Sequence, residues 1–163
     1  MLQLFLFLHV MGAIIVFGPV FIFPIIRNQA RKSPQNGPFA AALGDFISHR
    51  LILPGAVVQG ITGVGLILIL GADLTSSAYR WLVGGIILYA IAISYSAFVQ
   101  GPASAKMVRL TSGGPPPGPP PAGAPAGPPP EVAATGAQLQ RGGMILTVLI
   151  VAIVILMVTK PTF

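Results

Sequence analysis

The chain of 163 residues contains no cysteine and only three acidic residues. The absence of cysteine excludes disulfides, thiolate metal sites, covalently attached c-type haem and cysteine nucleophiles. Asp45, Asp73 and Glu131 all lie outside the long apolar segments, so the membrane interior offers no carboxylate for a proton relay. Two histidines and three dispersed acids also form no convincing hydrolytic set. We therefore assign no catalytic residue and favour a non-enzymatic protein.

The chain contains four long apolar runs and few charged residues. Hydrophobic residues make up 54% and charged residues 7% of the sequence, and the mean hydropathy is +0.86. The runs at about 2–26, 51–70, 81–100 and 143–159 match the roughly 20 residues that cross about 30 Å of hydrocarbon. The sequence predicts an all-α, polytopic membrane protein, with residues 1–163 forming a single four-transmembrane-helix bundle.

The basic residues predict an orientation. Seven of the nine Lys and Arg residues fall in two loops, 27–50 and 101–142. The positive-inside rule places these loops in the cytoplasm and both termini outside, in the inner (cytoplasmic) membrane of a bacterium. Because the cations flank the spans without interleaved aromatics, they do not indicate nucleic acid. The expected surroundings are the lipid bilayer and either a membrane-protein partner or further copies in a homo-oligomer.

The loop before the fourth span is rich in Pro, Gly and Ala. Residues 112–130 include ten prolines, a composition that lacks backbone donors and side chains able to bury surface. We expect an extended cytoplasmic linker that acts as a spacer, although its P-x-x-P spacings also resemble ligands of aromatic grooves. The following helix is expected to begin near Arg141, with Gly142 and Gly143 at the junction.

Small residues predict how the helices pack. Ala56 and Gly60 are spaced four residues apart, as are Ala90 and Ser94, so each pair lets a neighbouring backbone approach closely. This repetition predicts close contact between the second and third spans. The full set of expected packing residues is Gly12, Gly18, Gly55, Ala56, Gly60, Gly63, Ala90 and Ser94.

His9 is the one ionisable side chain placed well inside a span. Burial of charge there is expensive, so a neutral imidazole is favoured. Its candidate roles are an axial ligand to haem b, a ligand to copper or a similar ion, and an interhelical hydrogen bond. Residues at matching depth on neighbouring spans are Gln59, Thr62 and Tyr89, all ordinary hydrogen-bond partners. The structural role is favoured over the liganding one.

The second histidine does not complete a bis-histidine haem site. His49 differs from His9 in depth by about 20 Å at helical rise, so one iron cannot bind both. A haem at His9 would need Met11, Tyr89 or a second subunit. Asp45, His49 and Arg50 instead predict a polar cluster at the headgroup boundary.

Two segments carry a family resemblance. Phe7–Gly18, followed by Pro24 and a basic loop, resembles the first helix of an uncharacterised bacterial four-helix integral membrane family, a domain of unknown function. Arg50–Leu66 is similar to the second helix of that family. The Leu-His-x-x-Gly-Ala pattern at His9 also resembles the first helix of copper-resistance D-type and protoporphyrinogen oxidase J-type membrane proteins. This second resemblance implies a haem- or copper-associated ancestry in which His9 is the matching histidine.

Three interpretations of function follow in order of preference. The first is a small accessory or structural subunit that packs against membrane partners or lipid. The second is a haem b or copper-associated redox or metal-handling membrane protein that uses His9. The third is a small transporter acting as an oligomer, because four spans without an obvious inverted repeat do not readily enclose a path.

Overall fold

Four long helices make up the chain in a computed structural model that describes residues 1–113 and 127–161. They are α1 (Leu2–Lys32), α2 (Gly37–Leu70), α3 (Ser77–Thr111) and α4 (Pro130–Thr159), and each is long and apolar enough to cross a membrane. The described residues contain no strand. The predicted all-α fold with four candidate spans is confirmed. Most of the predicted proline-rich linker, 114–126, lies outside the described residues.

Each helix is longer than the apolar run that predicted it. α2 begins at Gly37 rather than near Leu51, and α3 continues past Gln100 to Thr111. The expected start of α4 near Arg141 is wrong, because the helix begins at Pro130 and runs through both glycines. Helices of 30 to 35 residues are about 45–53 Å long at helical rise. The helices therefore extend beyond the hydrocarbon. Packing against neighbouring helices keeps these outer turns helical.

α2 and α3 each contain one π-helical turn, over Ser48–Ile52 and Ser96–Gln100. A proline follows two residues after each turn, at Pro54 and Pro102. Proline has no N–H, and its ring clashes with the carbonyl four residues earlier. The amide that follows each turn bonds to the carbonyl five residues back, and this local widening lets the helix pass through the proline.

The helices pair differently at the two ends of the bundle, which we call the turn end, where residues 71–76 join α2 to α3, and the basic end, where most cations lie. α1 packs along α2, α3 packs along α4, and α4 also contacts α1. α2 and α3 meet mainly near the basic end, through Gly37–Ile47 and Gly101–Thr111. The close contact expected between the second and third spans is therefore wrong over most of their length.

The middle of the bundle is apolar. Its buried side chains include Val16, Val20, Ala56, Ile150 and Ile153. Large apolar side chains cover the outside of all four helices and are exposed, as expected where lipid is the solvent. Buried polar groups are correspondingly few, and they lie on either side of this apolar layer.

The turn between α2 and α3 is closed by hydrogen bonds to one carboxylate. Gly71 ends α2 in the left-handed region with φ +60°. The backbone N–H and hydroxyl of Thr75 both donate to Asp73 Oδ1, at 2.9 and 2.6 Å. These bonds favour the ionised form and hold the pKa of Asp73 below its ordinary value. Asp73 and Thr75 are exposed at the turn end.

Candidate functional site

His9 of α1 is hydrogen-bonded to α2. Its Nδ1 lies 3.0 Å from Thr62 Oγ1, and the Thr62 hydroxyl donates to the Gln59 carbonyl oxygen at 3.0 Å. With the single Thr62 hydroxyl proton directed to that carbonyl, the bond to His9 is completed by an Nδ1–H donor. The neutral imidazole therefore carries its lone pair on Nε2. Of the three residues expected near His9, Thr62 bonds to His9 directly and Gln59 bonds to Thr62 through its carbonyl oxygen.

Glycines of α2 allow α1 to approach this closely. A Cβ at Gly63 would lie 3.1 Å from His9 Cε1, and a Cβ at Gly55 would lie 2.6 Å from Val16 Cγ2. Val16 is short, β-branched and buried, so relieving that contact would need a change of its χ1 rotamer or a shift of the α1 backbone. Gly55 and Gly63, both expected to be packing residues, thus pack against α1.

Gln59 is the most constrained polar side chain at this contact. It is 5% exposed, and its Oε1 is buried with no hydrogen-bond partner. That oxygen occupies the space where a side chain at Gly12 would begin. A buried acceptor without a partner costs about 1–3 kcal/mol. His9, Gln59 and Thr62 form what we call the α1–α2 polar cluster.

Tyr89 has a different partner from the one expected. Its hydroxyl donates to the Ala56 carbonyl oxygen and lies 3.3 Å from the position of a Cβ at Gly60. It joins α3 to α2 and makes no described bond to His9. The two packing residues expected on the third span, Ala90 and Ser94, are exposed, and a Cβ at Gly18 would meet no atom within 4 Å.

A shallow, open cleft lies between α2 and α3 beside Tyr89. Its volume is about 420 Å³, and its lining is almost wholly apolar: Val57, Gly60, Ile61, Val64, Tyr89 and Ile93. The cleft is open to the surroundings of the bundle, and His9 is not among its lining residues. In a membrane this surface is accessible to lipid tails or to another helix.

The second histidine lies near the basic end. His49 Nδ1 is 3.1 Å from Asp45 Oδ1 and bonds to the Asp45 carbonyl oxygen at 3.2 Å. The two side chains are 41% and 29% exposed. The ring also packs on α3, where a Cβ at Gly101 would lie 3.4 Å from His49 Nε2. Asp45 and His49 are neighbours as expected, and Arg50 beside them is exposed.

Sequence reasoning missed two glutamines at this end. Gln100 Nε2 donates to the Leu139 carbonyl oxygen at 3.3 Å, and its side chain fills the space above Gly142 of α4. Gln140 accepts a bond of 3.2 Å from Arg31 of α1. Gln100 is the last residue of an apolar run and directly precedes Gly-Pro. This placement is the sequence feature that could have marked it as a packing residue. Gln140 lies outside the runs and has no such feature.

The residues around His9 do not fit a haem within one chain. Met11 is two positions along α1 and exposed, while Tyr89 is bonded to Ala56. On its Cε1 side the His9 ring lies against Gly63 of α2. Among the described residues no group of three His, Cys, Asp or Glu comes together. What His9 does offer is an Nε2 lone pair whose orientation Thr62 fixes, as in many metal-binding histidines.

Comparison with known proteins gives one match. A family model described as "Predicted integral membrane protein (DUF2269)" matches residues 3–161, nearly the whole chain. No curated protein and no solved structure matches the chain.

Proposed function

The chain belongs to the DUF2269 family of predicted integral membrane proteins, and from this premise we propose that it is a non-enzymatic accessory subunit that packs against another membrane protein. The family assignment agrees with the resemblance predicted from Phe7–Gly18 and Arg50–Leu66. The accessory role is supported by the shape of the bundle and by the residues at its surface.

The cleft between α2 and α3 carries this proposal. Its apolar walls suit a transmembrane helix of a partner, and Gly60 in its lining leaves room for close approach. Ala90 is exposed on α3 close to these walls and is also small. Helices in lipid associate through close packing at such small residues, because hydrocarbon supplies no hydrophobic driving force between them. A partner helix in the cleft would bridge α2 and α3 where they do not pack together.

The apolar middle of the bundle favours a structural role over transport by one chain. Val16, Val20, Ala56, Ile150 and Ile153 are buried there, so a polar solute would have to cross a packed hydrocarbon layer. A transporter built from this chain would need an oligomer to form a path between subunits.

The test is copurification from native membranes in mild detergent with two matched variants. Ile61 in the cleft and Val148 on α4 are 64% and 67% exposed. Ile61→Trp should fill the cleft and release a stoichiometric partner, whereas Val148→Trp should retain it. Recovery of the same partner with both variants contradicts the proposal. A partner that proves to be a second copy, by light scattering of the purified protein, replaces the accessory role with a homo-oligomer.

A metal-handling role is a second candidate because of the free Nε2 of His9. A metal ion bound there would take its remaining ligands from a partner or from water. Protein purified in detergent should then contain copper or another metal, or show a haem Soret band, and His9→Ala should abolish the signal. A colourless and metal-free preparation removes this candidate.

We also propose that the basic end faces the cytoplasm of a bacterial inner membrane, with both termini outside. Protease added to inverted vesicles should then cut near Lys106 or Arg109, which are exposed at that end. Protection of these sites in inverted vesicles, with cutting in right-side-out cells, reverses the orientation.

A further inference from the structure

Two arginines lie one turn apart near the end of α1. Arg27 and Arg31 are spaced four residues apart, which places them on the same helix face. Arg31 Nη2 donates to Gln140 Oε1 of α4 at 3.2 Å, and Arg27 is partly buried. We call the space between α1 and α4 beside these two arginines the groove; Arg31 donates across it to Gln140, and Arg27 lies one turn away on the same face of α1.

The carboxylates of the described residues do not neutralise these arginines. Asp45 pairs with His49, and Asp73 bonds to Thr75 at the turn end. Glu131 is exposed in the first turn of α4, about 13 Å along the helix from Gln140. The two guanidinium charges repel each other, and one of them is partly withdrawn from water. A bound anion would offset this repulsion. The chain itself supplies none in the part that the structure describes.

The depth of the groove identifies where an anion would come from. Arg27 lies about 38 Å along α1 from Leu2 at 1.5 Å per residue. That distance exceeds the roughly 30 Å of hydrocarbon but falls within the 40–45 Å that includes the headgroups. Gln140 lies about 28 Å from Thr159 on α4 by the same measure. By this measure Arg27 lies at the level of the headgroups and Gln140 at the edge of the hydrocarbon, so the two residues flank the boundary at which the lipid phosphates lie.

We propose that Arg27, Arg31 and Gln140 bind the phosphate of an anionic phospholipid in the groove between α1 and α4. A guanidinium offers five N–H donors in a planar fork that matches two phosphate oxygens. Gln140 Oε1 accepts a hydrogen bond from one N–H group of Arg31. The remaining N–H groups of the Arg31 guanidinium can donate to the phosphate of the headgroup. The lipid tails then run along the exposed apolar side chains of α1, including Ile22 and Ile25. The proposal is independent of the accessory role and of the orientation.

The test compares two double variants that remove equal charge. Arg27→Gln with Arg31→Gln alters the groove, whereas Lys106→Gln with Arg109→Gln alters exposed cations of α3 at the same end. Binding of phosphatidylglycerol and of phosphatidylcholine is measured by native mass spectrometry of protein in neutral detergent. We expect the groove variant to lose about tenfold to thirtyfold in affinity for phosphatidylglycerol and the control about threefold or less.

Three outcomes overturn the proposal. If both double variants weaken binding equally, the lipid is attracted by the overall positive charge of the basic end and not by this site. If phosphatidylcholine binds as tightly as phosphatidylglycerol, the site does not distinguish an anionic headgroup from a zwitterionic one. Competition by inorganic phosphate at the same concentration as the lipid points to a soluble ligand. If the groove variant does not fold, as judged by helicity and gel filtration, Arg27→Lys with Arg31→Lys is used, since it keeps the charge but loses the fork. That variant should show an intermediate loss, and unchanged affinity contradicts the site.

Discussion

The two histidines lie in opposite halves of the bundle and are held in different ways. His9 bonds across from α1 to Thr62 of α2, whereas His49 bonds back to Asp45 of its own helix and is 41% exposed. Inside hydrocarbon a polar group must find its partner in the protein, either on its own helix or on a neighbouring one, while at the headgroups water can serve instead. The cross-helix contact at His9 should therefore matter for stability and the local one at His49 much less.

The two buried glutamine contacts repeat this difference. Gln59 lies against Gly12 and is 5% exposed, and Gln100 lies against Gly142 at the other end but is only partly buried. In both cases the amide of one helix fills the space that a glycine leaves on its neighbour. A glutamine packed on a glycine thus joins α1 to α2 and α3 to α4. The glutamine side chain is more deeply buried between α1 and α2.

The largest effect expected from this comparison is at the tight α1–α2 contact. Gly55→Ala places a methyl group 2.6 Å from Val16 Cγ2, and we expect it to lower the free energy of unfolding by about 1–3 kcal/mol. Gly143→Ala is the matched control, because a Cβ there meets no atom within 4 Å. The control should be neutral or stabilising by up to about 1 kcal/mol. The measurement is unfolding by SDS titration in mixed micelles. A loss at Gly143 as large as that at Gly55 would show that helix flexibility, rather than packing, governs both positions.

The next effect is the hydrogen bond between His9 and Thr62. A double-mutant cycle with His9→Ala and Thr62→Ala should give a coupling of about 0.6 kcal/mol and no more than about 1.7 kcal/mol, the mean and the maximum of such bonds between membrane helices. The same cycle at Tyr89 and Thr62 is the control, because Tyr89 bonds instead to Ala56. A coupling near zero at His9 would place its role outside helix pairing and strengthen the metal-handling candidate.

Hydropathy was enough to predict the four helices, since each span is a long apolar run with few charges. It could not predict their full length, because Gly37, Gly44 and Asp45 lower the hydropathy of a segment that remains helical by packing on α3. Depth along the helices correctly suggested that Thr62 and Gln59 lie near His9. It could not exclude Tyr89, since depth says nothing about which face of a helix a residue occupies.

The direction of helix pairing was also hidden in the sequence. Gly55, Gly60 and Gly63 all mark surfaces of close approach, but the first and third face α1 while Gly60 faces Tyr89 of α3. A small residue shows that something lies close without showing what. The π-helical turns were missed for a similar reason, because Pro54 and Pro102 predict a local disturbance but not its form.

A smaller effect is expected at the basic end. Asp45→Asn removes the charge beside His49, whose ring is charged only when protonated, from a pair that is 29% and 41% exposed, and such exposed pairs contribute about 0.2–1 kcal/mol at most. The loss in unfolding free energy should lie at the low end of that range and shrink further in high salt. His49→Gln serves as the matched variant on the other side of the pair. A loss larger than that of Thr62→Ala would reverse the comparison between the two halves.

The smallest effect belongs to the exposed turn, where water surrounds every polar group. Bonds from Thr75 hold the pKa of Asp73 below its ordinary value of 3.8, so the folded state favours the ionised carboxylate. The stabilisation is therefore complete at neutral pH and is lost as the pH falls through the lowered pKa of the folded protein. The difference in unfolding free energy between the wild type and Asp73→Asn should shrink across that acidic window, and Thr75→Val should shrink it at neutral pH. A difference that stays constant down to the lowest pH would mean that Asp73 acts through the shape of the turn and not through its charge.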